Sequence, residues 1–189
     1  SKQFILIVLA GIISAILWCF LQRKNRQIIS VKSQMKVENP ASRIPKLWIH
    51  LTNIFLQVAS VGAGSPIGKE GAPRELGALG AGRVSDYLKL TLQDRELAIA
   101  CGASAGLAAV YQVPVASIFF AFETLGLGIS VLNLISILVT TILASIVAGV
   151  VISDAPLYET AQVTLDVKTA LLAMFLVVLI SPIAQLFRR

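Results

Sequence analysis

Three long apolar runs, at residues 4–21, 129–152 and 167–187, constrain the fold of this chain more than any other feature. As an α-helix, each run is long enough to cross about 30 Å of hydrocarbon. The 189 residues are 56% hydrophobic and only 14% charged, a composition that excludes an ordinary soluble domain. The sequence therefore predicts an all-α, polytopic helical membrane protein.

The charge pattern predicts how the chain is oriented in the membrane. The net charge is +6, and much of the basic charge lies between Arg23 and Lys46, directly after the first apolar run. Because basic loops stay in the cytoplasm, we expect residues 22–46 and the C-terminal arginines to be internal, and the acidic stretch at 153–166 to be external. The partner of this charge is then the lipid bilayer of the cell membrane rather than nucleic acid.

Between the long runs, the apolar segments are short and are interrupted by glycine and proline. We predict helices at residues 47–61, 71–90, 97–110 and 115–125, with a polar connection at 91–96 and a break at 111–114. Broken helices of this kind indicate a binding site near the membrane midplane. We expect residues 1–189 to form a single membrane domain.

The broken region contains the sequence Gly68-Lys-Glu-Gly-Ala72, in which Glu70 lies between two glycines. A carboxylate at membrane depth is costly and is usually kept for ion pathways or proton relays. If a helix begins at Gly71, its first N–H groups and its dipole form an anion site that the backbone can supply without a basic side chain. A small anion such as a halide needs only such donors. We therefore predict that Gly68, Lys69, Gly71 and Ala72 bind an anion.

Glu70 can compete with that anion for the same donors. When deprotonated it should occupy the site, and when protonated it should leave. Burial raises a carboxyl pKa and helix N-terminal donors lower it, so the two effects oppose each other and the group can titrate. This opposition predicts that Glu70 is a gate and proton acceptor.

Two segments resemble the CLC family of chloride channels and chloride/proton exchangers. Gly68-Lys-Glu-Gly resembles the glutamate motif of the family, Gly-Arg/Lys-Glu-Gly-Pro, although Ala72 replaces its proline. Residues 100–117 resemble the following glycine- and alanine-rich helix, its polar-x-Pro break and the next helix. The resemblance implies the first half of an inverted-repeat fold with broken and re-entrant helices, in a chloride-transporting homodimer with no cofactor and no enzymatic activity. The second half of the fold, with its Gly-x-Phe-x-Pro motif and pore tyrosine, is not found in this sequence, so we expect a fragment.

At two positions the chain departs from the family pattern. Where the family has Gly-Ser-Gly-Ile-Pro, residues 28–34 retain only Ser30, which is either an anion-contacting serine or an ordinary polar loop residue. Thr124 occupies the place of the internal glutamate of the exchangers, and this leaves a passive channel and a proton-coupled antiporter both open. A fluoride-selective branch also departs from the serine motif, so the ion stays open too.

The other polar and small residues have simpler interpretations. We expect Glu75 and Arg74 to cap a helix or pair with each other, Glu123 to pack or form hydrogen bonds, and His50 to have no functional role. Close helix packing explains the glycines at positions 77, 80 and 82. Cys19 and Cys101 lack metal-ligand or disulfide spacing, and we predict no metal site.

Three classes of function remain after these observations. The first is membrane transport of a small inorganic anion, with chloride as the expected ion and protons as an expected partner of an antiporter. The second is a membrane scaffold or regulatory subunit that does not transport. The third is another inverted-repeat transporter, for small organic anions.

Overall fold

A computed structural model describes residues 2–22, 28–36, 47–65, 68–151 and 166–187, and these ranges are helical apart from short connections. The helices are α1 (Lys2–Gln22), α2 (Val31–Met35), α3 (Leu47–Gly62), α4 (Gly71–Tyr87), α5 (Leu92–Tyr111), α6 (Pro114–Phe119), α7 (Val131–Val151) and α8 (Val167–Phe187). The chain divides into two compact units, Ser1–Ser153 and Asp154–Arg189. The all-α prediction is confirmed, and the single membrane domain stays a prediction.

Within the described residues, α7 is the helix that is both long and apolar enough to cross a membrane. Shorter apolar segments lie at Gly11–Leu21, Leu47–Gly62, Pro114–Thr124 and Val167–Pro182. Most of the predicted external loop, parts of the predicted internal loop and the C-terminal arginines lie outside the described residues. The number of crossings and their orientation therefore stay predictions.

Helix α5 corrects the predicted polar connection at residues 91–96. Thr91 is extended (φ −61°, ψ 161°), and its hydroxyl accepts a hydrogen bond from the Asp94 amide at 3.2 Å and donates one to the Asp94 carboxylate at 2.7 Å. A threonine in this position satisfies an amide that has no partner inside the helix. The polar residues thus form the first turn of a 20-residue helix, and the predicted loop was wrong.

Replacing Thr91 with Ala should lower the free energy of unfolding by about 1 kcal/mol, because the Asp94 amide would lose its partner. Denaturant titration of the detergent-solubilised protein would measure the loss. Thr91→Ser keeps the hydroxyl and serves as the matched control. Equal stability of the Ala and Ser variants would contradict the capping role.

A second correction concerns the predicted loop at residues 22–46, which contains α2. Ser30 begins this helix: it is extended (φ −60°, ψ 154°), and its hydroxyl accepts from the Ser33 amide at 3.2 Å. Inside α2, Gln34 and Met35 are buried, and Met35 joins the main apolar cluster. Burial of this one turn against the other helices outweighs the polar composition of the segment.

Helix α5 forms the centre of the first unit and packs against both α4 and α7. Its inner face is built of small residues, so Ala100, Ala103 and Ala108 are completely buried. The chain then breaks as predicted, because Gln112 adopts a left-handed conformation (φ 55°) and Pro114 begins α6. A π-helical turn, Phe120–Thr124, follows α6 and returns the chain towards α2.

Candidate functional site

The N-terminus of α4 is the first part of the site. The helix begins at Gly71, and Glu70 lies immediately before it with helical backbone angles (φ −78°, ψ −24°). The Glu70 side chain does not cap the helix, and the Glu70 carbonyl accepts from the Arg74 amide at 3.4 Å and from the Arg74 Nε at 3.0 Å. Pro73 has no N–H, so the amides that remain available to an external acceptor are those of Gly71 and Ala72, which make no hydrogen bond to the described residues.

The Glu70 carboxylate folds back over the backbone of Gly68. Gly68 has a positive φ of 80°, and a Cβ atom at this position would overlap the carboxylate, so only glycine fits here. The Tyr111 hydroxyl, at the end of α5, donates a hydrogen bond to Oε2 of Glu70 at 3.1 Å. The Lys69 ammonium lies 5.1 Å from the centre of the Tyr111 ring. The end of α5 is thus joined directly to the glutamate motif.

A cavity of about 620 Å³ lies beside this helix terminus. Its polar and charged lining comes from five parts of the first unit: α1, the segment at residues 28–32, α3, the start of α4, and the π-helical turn. The polar or charged lining side chains are those of Trp18, Ser30, Lys32, Asn53, Gln57, Arg74, Glu75 and Thr124. Gly71 contributes its backbone to the same wall.

Two cationic side chains face this cavity, and neither forms an ion pair with a carboxylate of the described residues. The Arg74 guanidinium lies 5.3 Å from the centre of the Phe120 ring, and Lys32 Nζ donates to the Thr124 carbonyl at 3.5 Å. The Arg74 guanidinium and the Lys32 ammonium are thus held in place, and most of their N–H donors make no hydrogen bond to the described residues. Lys32 is exposed and Arg74 is half-buried, so solvent screens the Arg74 charge less. The wall of the cavity is therefore suited to an anion.

Among the described residues, the carboxylate that lines the cavity is that of Glu75, which is 8% exposed. Three side chains of α3 contact it: His50 Nδ1 lies 2.8 Å from Oε1, Asn53 Nδ2 donates to Oε2 at 2.6 Å, and Gln57 Nε2 donates to Oε2 at 2.9 Å. Trp18 Nε1 in turn donates to Asn53 Oδ1 at 2.7 Å. This network corrects one prediction, because Glu75 pairs with α3 rather than with Arg74. His50 is a buried histidine with a hydrogen-bond partner, as expected of a residue packed in a helix bundle.

The structure distributes the predicted site residues over three surroundings. Ser30 and Gly71 line the cavity together, which the sequence distance between them did not indicate. Glu70 with Gly68 and Lys69 forms the adjoining motif around Tyr111.

Ala72 lies elsewhere, in an apolar cluster with Ile54 and Leu79, and is 6% exposed. Glu123 is exposed and makes no hydrogen bond to the described residues, in contrast to the packing or hydrogen-bonding role that we expected. Thr124, next to it, takes part in the cavity wall through its contact with Lys32.

Sequence reasoning missed Lys32 and Arg74 as cavity residues and Tyr111 as the partner of Glu70. The local sequence gave no signal for the first two, since lysine and arginine beside a membrane segment usually mark only its orientation. Tyr111 could have been found, because it immediately precedes the break that brings the end of α5 back to the glutamate motif.

Helices broken at glycine and proline, with an unsatisfied helix terminus beside a cation-lined cavity, characterise a helical membrane protein with an internal polar site. A family model described as the voltage gated chloride channel matches residues 4–189. The chain therefore belongs to the voltage-gated chloride channel family.

Among curated proteins, the chain is similar to voltage-gated ClC-type chloride channel ClcB of Escherichia coli strain K12 and of Shigella boydii serotype 18. In both comparisons the sequences are 37% identical over 100 residues, which are 52% of this chain and 24% of the relative. The match thus spans about a quarter of the length of these relatives. No solved structure matches the chain.

Proposed function

We propose that this chain forms the gate-bearing part of a membrane transport protein for chloride. The observation that supports this most directly is the position of the Glu70 carboxylate, which lies at the free N-terminus of α4 beside a cavity lined by Arg74 and Lys32. Membership of the chloride channel family, and the names of the relatives, support chloride as the ion.

Glu70 acts as the gate in this proposal. Its carboxylate carries the same charge as the transported anion and lies close to the same backbone donors, so the two compete. Protonation removes the charge, and the side chain then no longer has an advantage over the anion. Because Tyr111 donates the hydrogen bond to Oε2, this hydroxyl holds the closed position of the deprotonated side chain.

Ser30, Gly71 and Arg74 form one wall of the anion path, and Gly68 and Lys69 form its approach. Arg74 and Lys32 raise the local concentration of anions without a bidentate clamp, since each is also engaged with Phe120 or Thr124. We give Ala72 only an indirect part, because its side chain packs in the apolar cluster and its backbone belongs to the first turn.

The remaining features of the proposal come from the family. We place the protein in the cell membrane as a multi-pass homodimer. Thr124 lines the cavity where an exchanger would have a carboxylate, so proton coupling, if it occurs, uses a different group. The simplest form of the proposal is a channel whose gate responds to pH.

Chloride efflux from liposomes containing the full-length protein tests this function. We expect efflux above that of protein-free liposomes, and efflux slower by roughly tenfold in Arg74→Gln, because one positive charge is removed from a weakly solvated cavity wall. Arg83→Gln removes an exposed cation of the same helix that does not line the cavity, and should leave efflux unchanged.

The same liposomes separate the alternatives. If fluoride or a small organic anion leaves the liposomes faster than chloride, that ion is the substrate. If protons move in step with chloride, the protein is an antiporter. No efflux of any anion would contradict transport and favour the scaffold.

A further inference from the structure

We propose that His50 and Glu75 form a proton-binding pair whose charge controls the affinity of the cavity for its anion. The proposal rests on the proposed function, in that the cavity holds the transported anion. It differs from the Glu70 gate because Glu75 lines the cavity, His50 contacts Glu75 from α3, and neither takes part in the glutamate motif.

The pair is buried and its geometry is specific. His50 is completely buried, the Glu75 side chain is 10% exposed, and Nδ1 of His50 lies 2.8 Å from Oε1 of Glu75. The other carboxylate oxygen of Glu75 accepts from Asn53 and Gln57. Three α3 side chains therefore contact one carboxylate.

The second ring nitrogen of His50 provides the place for a proton. Nε2 is buried and has no hydrogen-bond partner among the described residues. A neutral ring that donates from Nδ1 to Glu75 leaves a lone pair on Nε2, and the pair then carries one negative charge. A proton from solvent that binds Nε2 forms an imidazolium beside the carboxylate, and the pair becomes neutral. Release of this proton from Nε2 reverses the step, and no other reactant is needed.

Charged groups from each neighbouring helix determine how the pair responds. From α1, which packs against α3, the described lining side chain is the neutral Trp18. On α2 the nearest charge at the cavity is Lys32, and on α4 it is Arg74, while α3 contributes only His50 itself. The ionisable groups of α5 and of the later part of α4 make their contacts elsewhere: Arg95 pairs with Asp86, Asp94 binds Thr91, Tyr111 binds Glu70, and Cys101 contacts Thr140. Glu96, also on α5, does not line the cavity.

The charges facing the cavity then depend on one proton. Lys32 and Arg74 contribute two positive charges, and the unprotonated pair contributes one negative charge, so the wall carries one net positive charge and suits a monovalent anion. Proton uptake on His50 makes the pair neutral, and the wall then carries two net positive charges. The anion should therefore bind more tightly to the protonated pair, and by reciprocity the anion should favour protonation.

His50 is the single histidine of the sequence, so ¹⁵N labelling of histidine gives one ring signal that reports its protonation directly. In a pH series from about 5 to 8 on the detergent-solubilised full-length protein, a window that covers the usual range of histidine, we expect the neutral ring to carry its proton on Nδ1 and the imidazolium signal to grow as the pH falls. At a fixed pH in this window, saturating chloride should raise the ratio of imidazolium to imidazole roughly tenfold.

Variants separate the pair from the gate and from the anion site. Glu75→Gln should remove the imidazolium, since a buried cation would lose its counter-charge. Glu96→Gln, a change of the same type on α5 away from the cavity, should behave as wild type. Glu70→Gln should keep the chloride response of the His50 signal. In the Glu70→Gln background, which removes the competing gate charge, calorimetric chloride binding should still weaken roughly tenfold with rising pH, and adding His50→Gln should hold it at the weaker value at every pH.

A ring that stays neutral throughout the window, or an imidazolium ratio that ignores chloride although calorimetry detects chloride binding, would overturn this proposal alone. Loss of the chloride response in Glu70→Gln would assign the coupled proton to the gate and would also overturn it. No chloride binding at any pH would overturn both this proposal and the proposed function.

Discussion

Replacing Glu70 with Gln should abolish the pH-dependent gating of chloride efflux while the protein stays folded. In the wild type, the open fraction follows the protonated fraction of Glu70, so efflux should rise by up to about tenfold for each unit of falling pH across its titration. Glutamine resembles the protonated side chain and cannot carry the charge that competes with chloride. The variant should therefore stay open at every pH and keep only the smaller pH dependence that the His50–Glu75 pair imposes through anion affinity.

The physical reason lies in the small number of groups that hold the closed position of Glu70. The side chain does not cap α4, and its carboxylate is held by the Glu70 backbone N–H and the Tyr111 hydroxyl. The negative charge thus supplies most of the advantage that the closed position has over an anion. An amide at this position would keep the size of the side chain and lose that advantage.

Two further variants make the result interpretable. Glu96→Gln, at a half-buried position that does not line the cavity, should keep the pH dependence. Tyr111→Phe removes the hydroxyl that holds the carboxylate, so efflux at high pH should increase and the pH dependence should become shallower. Wild-type pH dependence in Glu70→Gln would contradict the gate assignment, whatever the other variants show.

The start of α4 could be predicted from sequence because its determinants are local. A glycine with positive φ at Gly68, the helix start at Gly71 and a proline in the first turn all lie within a few residues. The break at Gln112 and Pro114 was predictable for the same reason. Thr91 shows the opposite error: a polar stretch was interpreted as a loop, although a threonine followed three residues later by an aspartate is a capping signal.

The pairing of His50 and Glu75 could not be predicted from the sequence, although the sequence does show the polar face of α3 that forms one side of it. His50, Asn53 and Gln57 follow a spacing of three and four residues, which places them on one face of a helix. Their common partner is on the next helix, 18 to 25 residues away, and sequence spacing does not specify which residues of two helices meet. The helices α3 and α4 had to be packed before this network appeared.

The cavity itself was also beyond sequence reasoning. It brings together Ser30, Arg74 and Thr124, from the segment before α2, the start of α4 and the π-helical turn. Two of its members were suggested beforehand, Ser30 through the family resemblance and Gly71 through the predicted helix terminus. A cavity is the space that the side chains of several packed elements leave unfilled, and no local sequence pattern specifies that space.

Replacing Gly77 with Ala should destabilise the protein by about 2 kcal/mol or more, whereas the same change at Gly80 should stabilise it by up to about 1 kcal/mol. A Cβ atom at Gly77 would overlap the Gly102 carbonyl of α5, and a Cβ atom at Gly102 would overlap the Gly77 carbonyl of α4. Backbone atoms cannot rotate away as a side chain can, so the helices would have to separate. A Cβ atom at Gly80 meets nothing within 4 Å, so only the helix propensity changes there.

Denaturant titration of the two variants in the same detergent measures this difference, and equal effects would contradict the role of close packing.

The loss of close packing at Gly77 should also affect transport. Gly106 approaches the Pro73 carbonyl in the same way, so two backbone contacts fix α5 against the first turns of α4. Since Tyr111 and Glu70 lie at the ends of these helices, Gly77→Ala should also weaken their hydrogen bond and flatten the pH dependence of efflux. Gly80→Ala should change neither.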